Sequence, residues 1–201
     1  MRLLNVKTFE FEEFIGKGGG GIPLYVILSH TWDIEEVSFE DYVGQQCKSK
    51  KGYNKIYDCC RVAESEGFQY GWIDTCCIDK SSSAELSEAI NSMFRWYREA
   101  ALCYVYLSDV DSSEDPTAEH SSFFRSRWFT RGWTLQELLA PTEVVFLSSD
   151  WVEIGSKKSL LSTVSRIAGI DEKALDEYRW TEYSVAQKMS WAAGRQTTRI
   201  G

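Results

Sequence analysis

Residues Pro23-Leu24-Tyr25-Val26-Ile27-Leu28-Ser29-His30 form a continuous apolar run that ends in polar residues, and short apolar runs recur at Tyr70 to Thr75 and at Leu102 to Leu107. A strand that is apolar on every residue has no face to turn to water, so it must be covered on both sides. Between these runs the periodicity changes to that of a helix. Ile56, Cys59, Cys60 and Ala63 recur at helical spacing before Gly67, and Leu86, Ile90, Met93, Phe94, Tyr97 and Ala101 form an amphipathic stripe behind the capping serines 81–83. A compact helix is expected over Thr134–Ala140, stopped by Pro141, and a fourth strand over Glu143–Leu147. Further helices are expected around Leu160, Leu161, Val164 and Ile167, and over Val185–Ala193. Short apolar strands alternating with helices imply an α/β fold with a parallel sheet, right-handed crossovers and flanking helices.

In open parallel sheets ligands bind beyond the carboxyl ends of the strands. That rule expects Ser29-His30-Thr31-Trp32, Asp74 to Asp79 and Ser108-Asp109 on one rim. Residues 1–22 are set apart as an amino-terminal segment and glycine-rich connector, Gly18-Gly19-Gly20-Gly21, and residues 23–201 as one domain. The glycine run lacks the Lys-Ser/Thr of a phosphate loop and precedes a strand, so it is expected to be a flexible connector.

A net charge of −8 argues against general nucleic-acid binding, which needs a cationic surface to displace counterions. A small anionic ligand is a different matter, because Arg125, Arg127 and Arg131 crowd one segment. The six cysteines include two adjacent pairs but no Cys-x-x-Cys, so no metal site is expected and the thiols are expected to be free and buried. With no export signal before Lys7, Glu10, Glu12 and Glu13, and no apolar stretch near the ~20 residues of a membrane span, a reducing cytosol is the expected compartment.

Four segments, taken in order, resemble the fungal heterokaryon incompatibility (HET) domain: Tyr25 to Trp32, Trp72-Ile73-Asp74-Thr75-Cys76-Cys77-Ile78-Asp79-Lys80, the helix from Glu85 to Ala100, and Arg131-Gly132-Trp133-Thr134-Leu135-Gln136-Glu137. The tail from Met189 to Arg199 is also similar to the family's, which normally continues further. The resemblance implies a trigger of programmed cell death when fungal individuals of different genotype fuse. It also implies self-association, with a nucleotide-binding oligomerisation module and a repeat-rich sensor elsewhere in the full-length protein. The family is distantly similar to Toll/interleukin-receptor (TIR) domains, which implies a flavodoxin-like sheet with additional carboxyl-terminal helices here. In catalytic members of that group a Trp stands four positions before a glutamate that helps cleave NAD, and Trp133 and Glu137 have this spacing.

These likenesses imply an NAD glycohydrolase in which NAD is substrate and no cofactor is required. Glu137 would be the catalytic carboxylate, steadying positive charge on the ribose as nicotinamide leaves. Trp133 and Trp32 would wall the pocket, Arg125, Arg127 or Arg131 would meet the pyrophosphate, and Ser29, His30 and Asp74 would line the substrate. Each residue also has a plainer reading. Thr134-x-x-Glu137 and Ser82-x-x-Glu85 both fit capping boxes, in which the acid bonds back to its own helix start. His30 fits a local turn, and Asp74 and Asp79 fit turn-formers. Cys76 and Cys77 beside His30 admit a thiol nucleophile, against which stands the common fate of cysteine as a buried apolar residue. The competing function is a non-catalytic module that signals death by recruiting partners.

Overall fold

The computed structural model describes residues 1–15, 21–176 and 179–196, and the chain divides into two compact units. The first contains Met1–Leu28 and Trp32–Leu102, the second Ser29–Thr31 and Cys103–Gly201. Most of the connector, Gly18 to Gly20, lies outside the described residues, as does the tail beyond Gln196.

The first unit opens with β1 (Arg2–Asn5) and β2 (Phe11–Glu13), an antiparallel pair. β3 (Tyr25–His30) follows, buried throughout, then the short α1 (Phe39–Val43) and α2 (Gly52–Ser65). β4 (Tyr70–Ile73) runs directly into a single helical turn, α3 (Asp74–Cys77), and α4 (Ser83–Glu99) closes the unit. The strand order is β2-β1-β4-β3, with β3 and β4 parallel and β1 antiparallel to β4. The amino-terminal segment, set apart on sequence, therefore extends this sheet: Leu3 and Leu4 are fully buried.

α2 takes the face its periodicity predicts, whereas of the stripe expected on α4 Tyr97 is buried and Leu86, Ile90, Met93 and Phe94 are half-buried. α2 buries Ile56, Cys59, Cys60 and Ala63, and α4 buries Ala89, Trp96 and Tyr97. Tyr97 donates to the carbonyl of Leu28 and Tyr25 to that of Trp96, so each buried phenol satisfies its hydroxyl on backbone. At α4 the capping box is half made. Ser82 accepts from the Glu85 amide, but the Glu85 carboxylate pairs with Arg2 at 2.9 Å and accepts from the Asp79 amide. Asp79 accepts from both amide and hydroxyl of Ser81, the turn-forming role open to it on sequence.

α2 begins at a tight approach. A Cβ at Gly52 would lie 2.7 Å from the Glu35 carbonyl oxygen and 2.9 Å from the Glu36 Cα, both backbone atoms that cannot swing away. Gly52→Ala should therefore destabilise the chain by about 1–3 kcal/mol, against the ~1 kcal/mol that alanine ordinarily gains in a helix. Urea unfolding at matched m-value checks this; a midpoint at or above wild type would refute it.

The second unit contains β5 (Leu102–Tyr106) from Cys103 onward, α5 (Thr134–Leu139), β6 (Val144–Leu147) and β7 (Glu153–Ser156). β5 and β6 are parallel, and β7 is an antiparallel edge on β6. α6 (Leu161–Ala168), α7 (Glu172–Asp176) and α8 (Val185–Ala193) are the additional carboxyl-terminal helices. α6 ends at Gly169 with φ +66°, a left-handed stop that glycine adopts without penalty. The core is aromatic: Phe123, Trp128, Phe129 and Phe146 meet mostly edge to face, the arrangement favoured by ring quadrupoles.

The α/β class and the parallel pairs β3–β4 and β5–β6 stand as the alternation implied. The short antiparallel β1, β2 and β7 add to these parallel pairs. They are three or four residues long and carry no apolar run that sequence reading could single out. No helix among the described residues is long and apolar enough to cross a membrane.

Candidate functional site

α5 places Glu137 at a buried position, 8% exposed, in the second unit. The capping box expected of Thr134 and Glu137 is not made. Trp133 stands at the N-cap with no side-chain cap, and the Thr134 hydroxyl is turned to the carbonyls of Trp128 and Arg131, at 2.8 and 2.7 Å. The Glu137 carboxylate instead accepts a hydrogen bond from the Ser29 hydroxyl. That hydroxyl in turn accepts from the indole N–H of Trp128 at 2.8 Å. A chain of donors thus runs from Trp128 through Ser29 to the carboxylate and fixes the rotamer of each member.

Two further groups hold α5. At its start, Arg195 donates through one nitrogen to the Thr134 hydroxyl at 2.9 Å and to the Arg131 carbonyl at 3.3 Å. Burial lowers the pKa of this guanidinium, and the charge of Glu137 works in the opposite direction. At its end, the buried Lys157 ammonium donates to the carbonyls of Leu138 and Pro141, at 3.3 and 2.8 Å, occupying acceptors that a helix leaves open at its carboxyl terminus.

Burial pushes the Lys157 pKa down to about 8, against the raising charges of Cys103, Glu143 and Asp176. Because the unfolded lysine titrates near 10.4, the unfolded chain holds the extra proton between these two values, and this group makes stability rise with pH across the window from about 8 to 10.4. The buried thiols of Cys60, Cys76 and Cys103, whose pKa values burial raises, act oppositely above pH ~8.5. The stability difference between wild type and Lys157→Met isolates the lysine. It should shift in favour of wild type by up to about 3 kcal/mol between pH 7 and 10.4, read from unfolding at both pH values. An unchanged difference would show that Lys157 is not desolvated.

The structure gathers some predicted site residues and separates others. Ser29, His30, Arg127, Arg131, Trp133 and Glu137 fall in the second unit, and Trp32 and Asp74 in the first. His30 is buried at the end of β3, and Trp133 is half-buried. Arg127 is exposed and donates to the Ser108 hydroxyl at 3.0 Å, while its amide and the Ser126 hydroxyl bond Asp109. Ser108 and Asp109, at the end of β5, therefore anchor the 127–130 turn. In the first unit the Trp32 indole, 43% exposed, donates to the Asp74 carboxylate at 3.0 Å, and the Lys80 ammonium sits 4.1 Å over its ring. All six cysteines are buried thiols outside any disulfide, as expected of them. The Cys76 thiol is pushed well above its ordinary pKa by burial, which is the opposite of an activated nucleophile.

Trp128 is fully buried in the core, and it is also the donor behind Ser29. The one available signal was general: a buried indole N–H requires an acceptor. The acceptor is 99 residues away in sequence, beyond the reach of any local pattern.

The model of the family "Heterokaryon incompatibility protein (HET)" matches residues 25–122. The chain carries a HET domain. It is also 51% identical over 187 residues to vegetative incompatibility protein HET-E-1 of Podospora anserina. That alignment covers 90% of this chain and 14% of the relative, so the chain spans about a seventh of that protein's length. No solved structure matches. The family match takes in Ser29, His30, Trp32 and Asp74 and stops before Trp128, Trp133 and Glu137. Because the relative's alignment leaves only about a tenth of the chain uncovered, it necessarily includes α5.

Proposed function

We propose that this HET domain signals cell death in a vegetative incompatibility response, and that it does so by cleaving nicotinamide from NAD at Glu137. The death-signalling role draws support from the family match and from the relative's printed name. The observation that carries the enzymatic part is that the Glu137 carboxylate is oriented by a side-chain relay from Ser29 and Trp128 and not spent on capping its own helix. In the reaction the bond from ribose C1′ to the nicotinamide nitrogen breaks, and its electron pair neutralises the departing pyridinium. Glu137 stabilises the cationic ribose until water adds to C1′ and releases a proton, giving ADP-ribose and nicotinamide. Arg131 and Arg127 would meet the pyrophosphate, and Trp133 and His30 would contact the nicotinamide ribose. Oligomerisation through modules elsewhere in the full-length protein would gather copies of the domain.

The test is to cluster the purified chain, incubate it with NAD and measure nicotinamide release. Turnover at a rate that follows protein concentration is expected; intact NAD after prolonged incubation of folded, clustered protein would overturn the enzymatic part.

One observation favours the second reading, recruitment of partners without catalysis. α8 exposes Val185 and Met189, at 72% and 66%, and their i, i+4 spacing places them on one helical face. Under this reading charged substitutions at both positions abolish cell death in a hyphal assay while cellular NAD stays constant.

A further inference from the structure

α5 is six residues long, too short to persist as a helix by itself, and Glu137 lies in its first turn, where Trp133 gives no side-chain cap. Groups outside the helix must therefore fix its start. The segment that follows α8 supplies them. Gln196 pairs with Arg131 as an isolated parallel bridge: its amide donates to the Thr130 carbonyl at 2.7 Å, and its carbonyl accepts from the Gly132 amide at 2.8 Å. Arg195, one residue earlier, reaches the same turn through Nη1, which donates to the Thr134 hydroxyl at 2.9 Å and the Arg131 carbonyl at 3.3 Å. Its Nε donates to the Trp191 carbonyl at 3.2 Å and ties the side chain back to α8.

Because Thr134 accepts from Arg195, its own hydrogen is left for a carbonyl, and the Trp128 carbonyl is one of the two it faces. Trp128 is thus held at both ends, by Thr134 at its carbonyl and by Ser29 at its indole, and Ser29 holds the acid. A continuous path of contacts leads from Arg195 through Thr134, Trp128 and Ser29 to Glu137. The charge of the guanidinium acts over the same span. Glu137 is the charge that works to keep Arg195 protonated against its burial, and by reciprocity Arg195 favours the ionised carboxylate. The Nη2 of Arg195 is buried with no hydrogen-bond partner, so the protein does not fully replace the water this cation has lost. A neutral amide could make the bonds to Thr134 and Arg131 with far less desolvation, and a charge retained there is explained by its effect on the acid.

We propose that Arg195 is a positioning residue for Glu137: from the segment behind α8 it locks the first turn of α5 and supplies the positive field in which the acid works. It touches no substrate atom, and the assignment rests on the reading of Glu137 as the reacting carboxylate.

Kinetics of the purified, clustered chain test this together with a measurement that needs no turnover. Arg195→Gln can still donate but carries no charge, and it should lower kcat for nicotinamide release about ten- to thirtyfold with KM within about twofold of wild type. Arg195→Lys keeps the charge, and one ammonium can take the place of Nη1, so its kcat should return to within about threefold of wild type. Gln196→Pro removes one backbone donor at an exposed position and leaves the guanidinium in place. It should lower kcat about three- to tenfold, and it decides the matter if Arg195→Gln does not fold. By NMR, the Glu137 carboxyl carbon and the Trp128 indole N–H should both shift in Arg195→Gln and shift less in Arg195→Lys. A raised KM in place of a lowered kcat, equal losses in the glutamine and lysine variants, or resonances of Glu137 and Trp128 that do not move would each overturn the assignment. Wild type that leaves NAD intact would overturn the function proposed above instead, and the two resonances would then decide whether Arg195 governs the acid.

Discussion

Glu137→Gln is expected to lower nicotinamide release by at least about a hundredfold while moving unfolding stability by no more than about 1 kcal/mol. The substitution keeps the shape of the side chain and its ability to accept from Ser29, so the relay from Trp128 survives. What it removes is the negative charge, whose value grows only as the ribose becomes cationic; losing one such preorganised electrostatic group typically costs 10²–10³ in rate. The loss should therefore appear in kcat, with KM little changed. Ser29→Ala provides the companion measurement. It leaves the charge but frees its rotamer, so a smaller loss of kcat is expected, on the order of tenfold. Turnover equal to wild type in Glu137→Gln would remove this residue from the reaction, and cell death persisting in that variant would point to recruitment instead.

Trp128→Ala should be the most damaging single change to folding, costing about 3–5 kcal/mol. The residue is 0% exposed, packs edge to face on Phe129 at 5.0 Å and on Phe146 at 6.2 Å, and its N–H holds Ser29. Truncation opens a large cavity among rings that cannot collapse into it, and it also leaves a buried polar relay short of a donor. Trp128→Phe separates the two contributions, because the ring contacts are largely kept while the N–H is lost. Its cost should be about 1–3 kcal/mol, with a disproportionate fall in activity. Thermal and urea unfolding of both variants would check this; a cost below about 1 kcal/mol for Trp128→Ala would mean the aromatic cluster is not the core of the second unit.

Much of the scaffold was visible before any coordinates. The wholly apolar Tyr25–Leu28, the stripe of α2 and the stops at Gly67 and Pro141 each depend on local physics, burial on both faces, 3.6-residue periodicity or backbone freedom, and each is found in place. What escaped was the part that is stabilised from a distance. β1 holds only four residues and becomes a strand because β4 and β2 offer it hydrogen bonds on either side. At the site, Thr134 and Glu137 satisfy the capping pattern in spacing, yet tertiary partners compete better: Arg195 and two carbonyls engage the threonine, and Ser29 engages the glutamate. A capping box is a local bargain worth about 1 kcal/mol, and a charge-assisted bond from a distant hydroxyl in a buried setting is worth more. Trp32 and Asp74, expected on sequence to line a substrate, bond to one another in the first unit.

The boundary between the two units does not fall at a linker. It crosses β3 between Leu28 and Ser29, returns after Thr31, and crosses again at Leu102–Cys103. A tripeptide from early in the chain is thus on loan to the later half. No single cleavage can release that half intact, and a recombinant fragment beginning at Cys103 would carry the acid and the indole without the hydroxyl that joins them. Splitting this protein for biochemistry would therefore dismantle its most ordered polar feature, whichever end of the chain is kept.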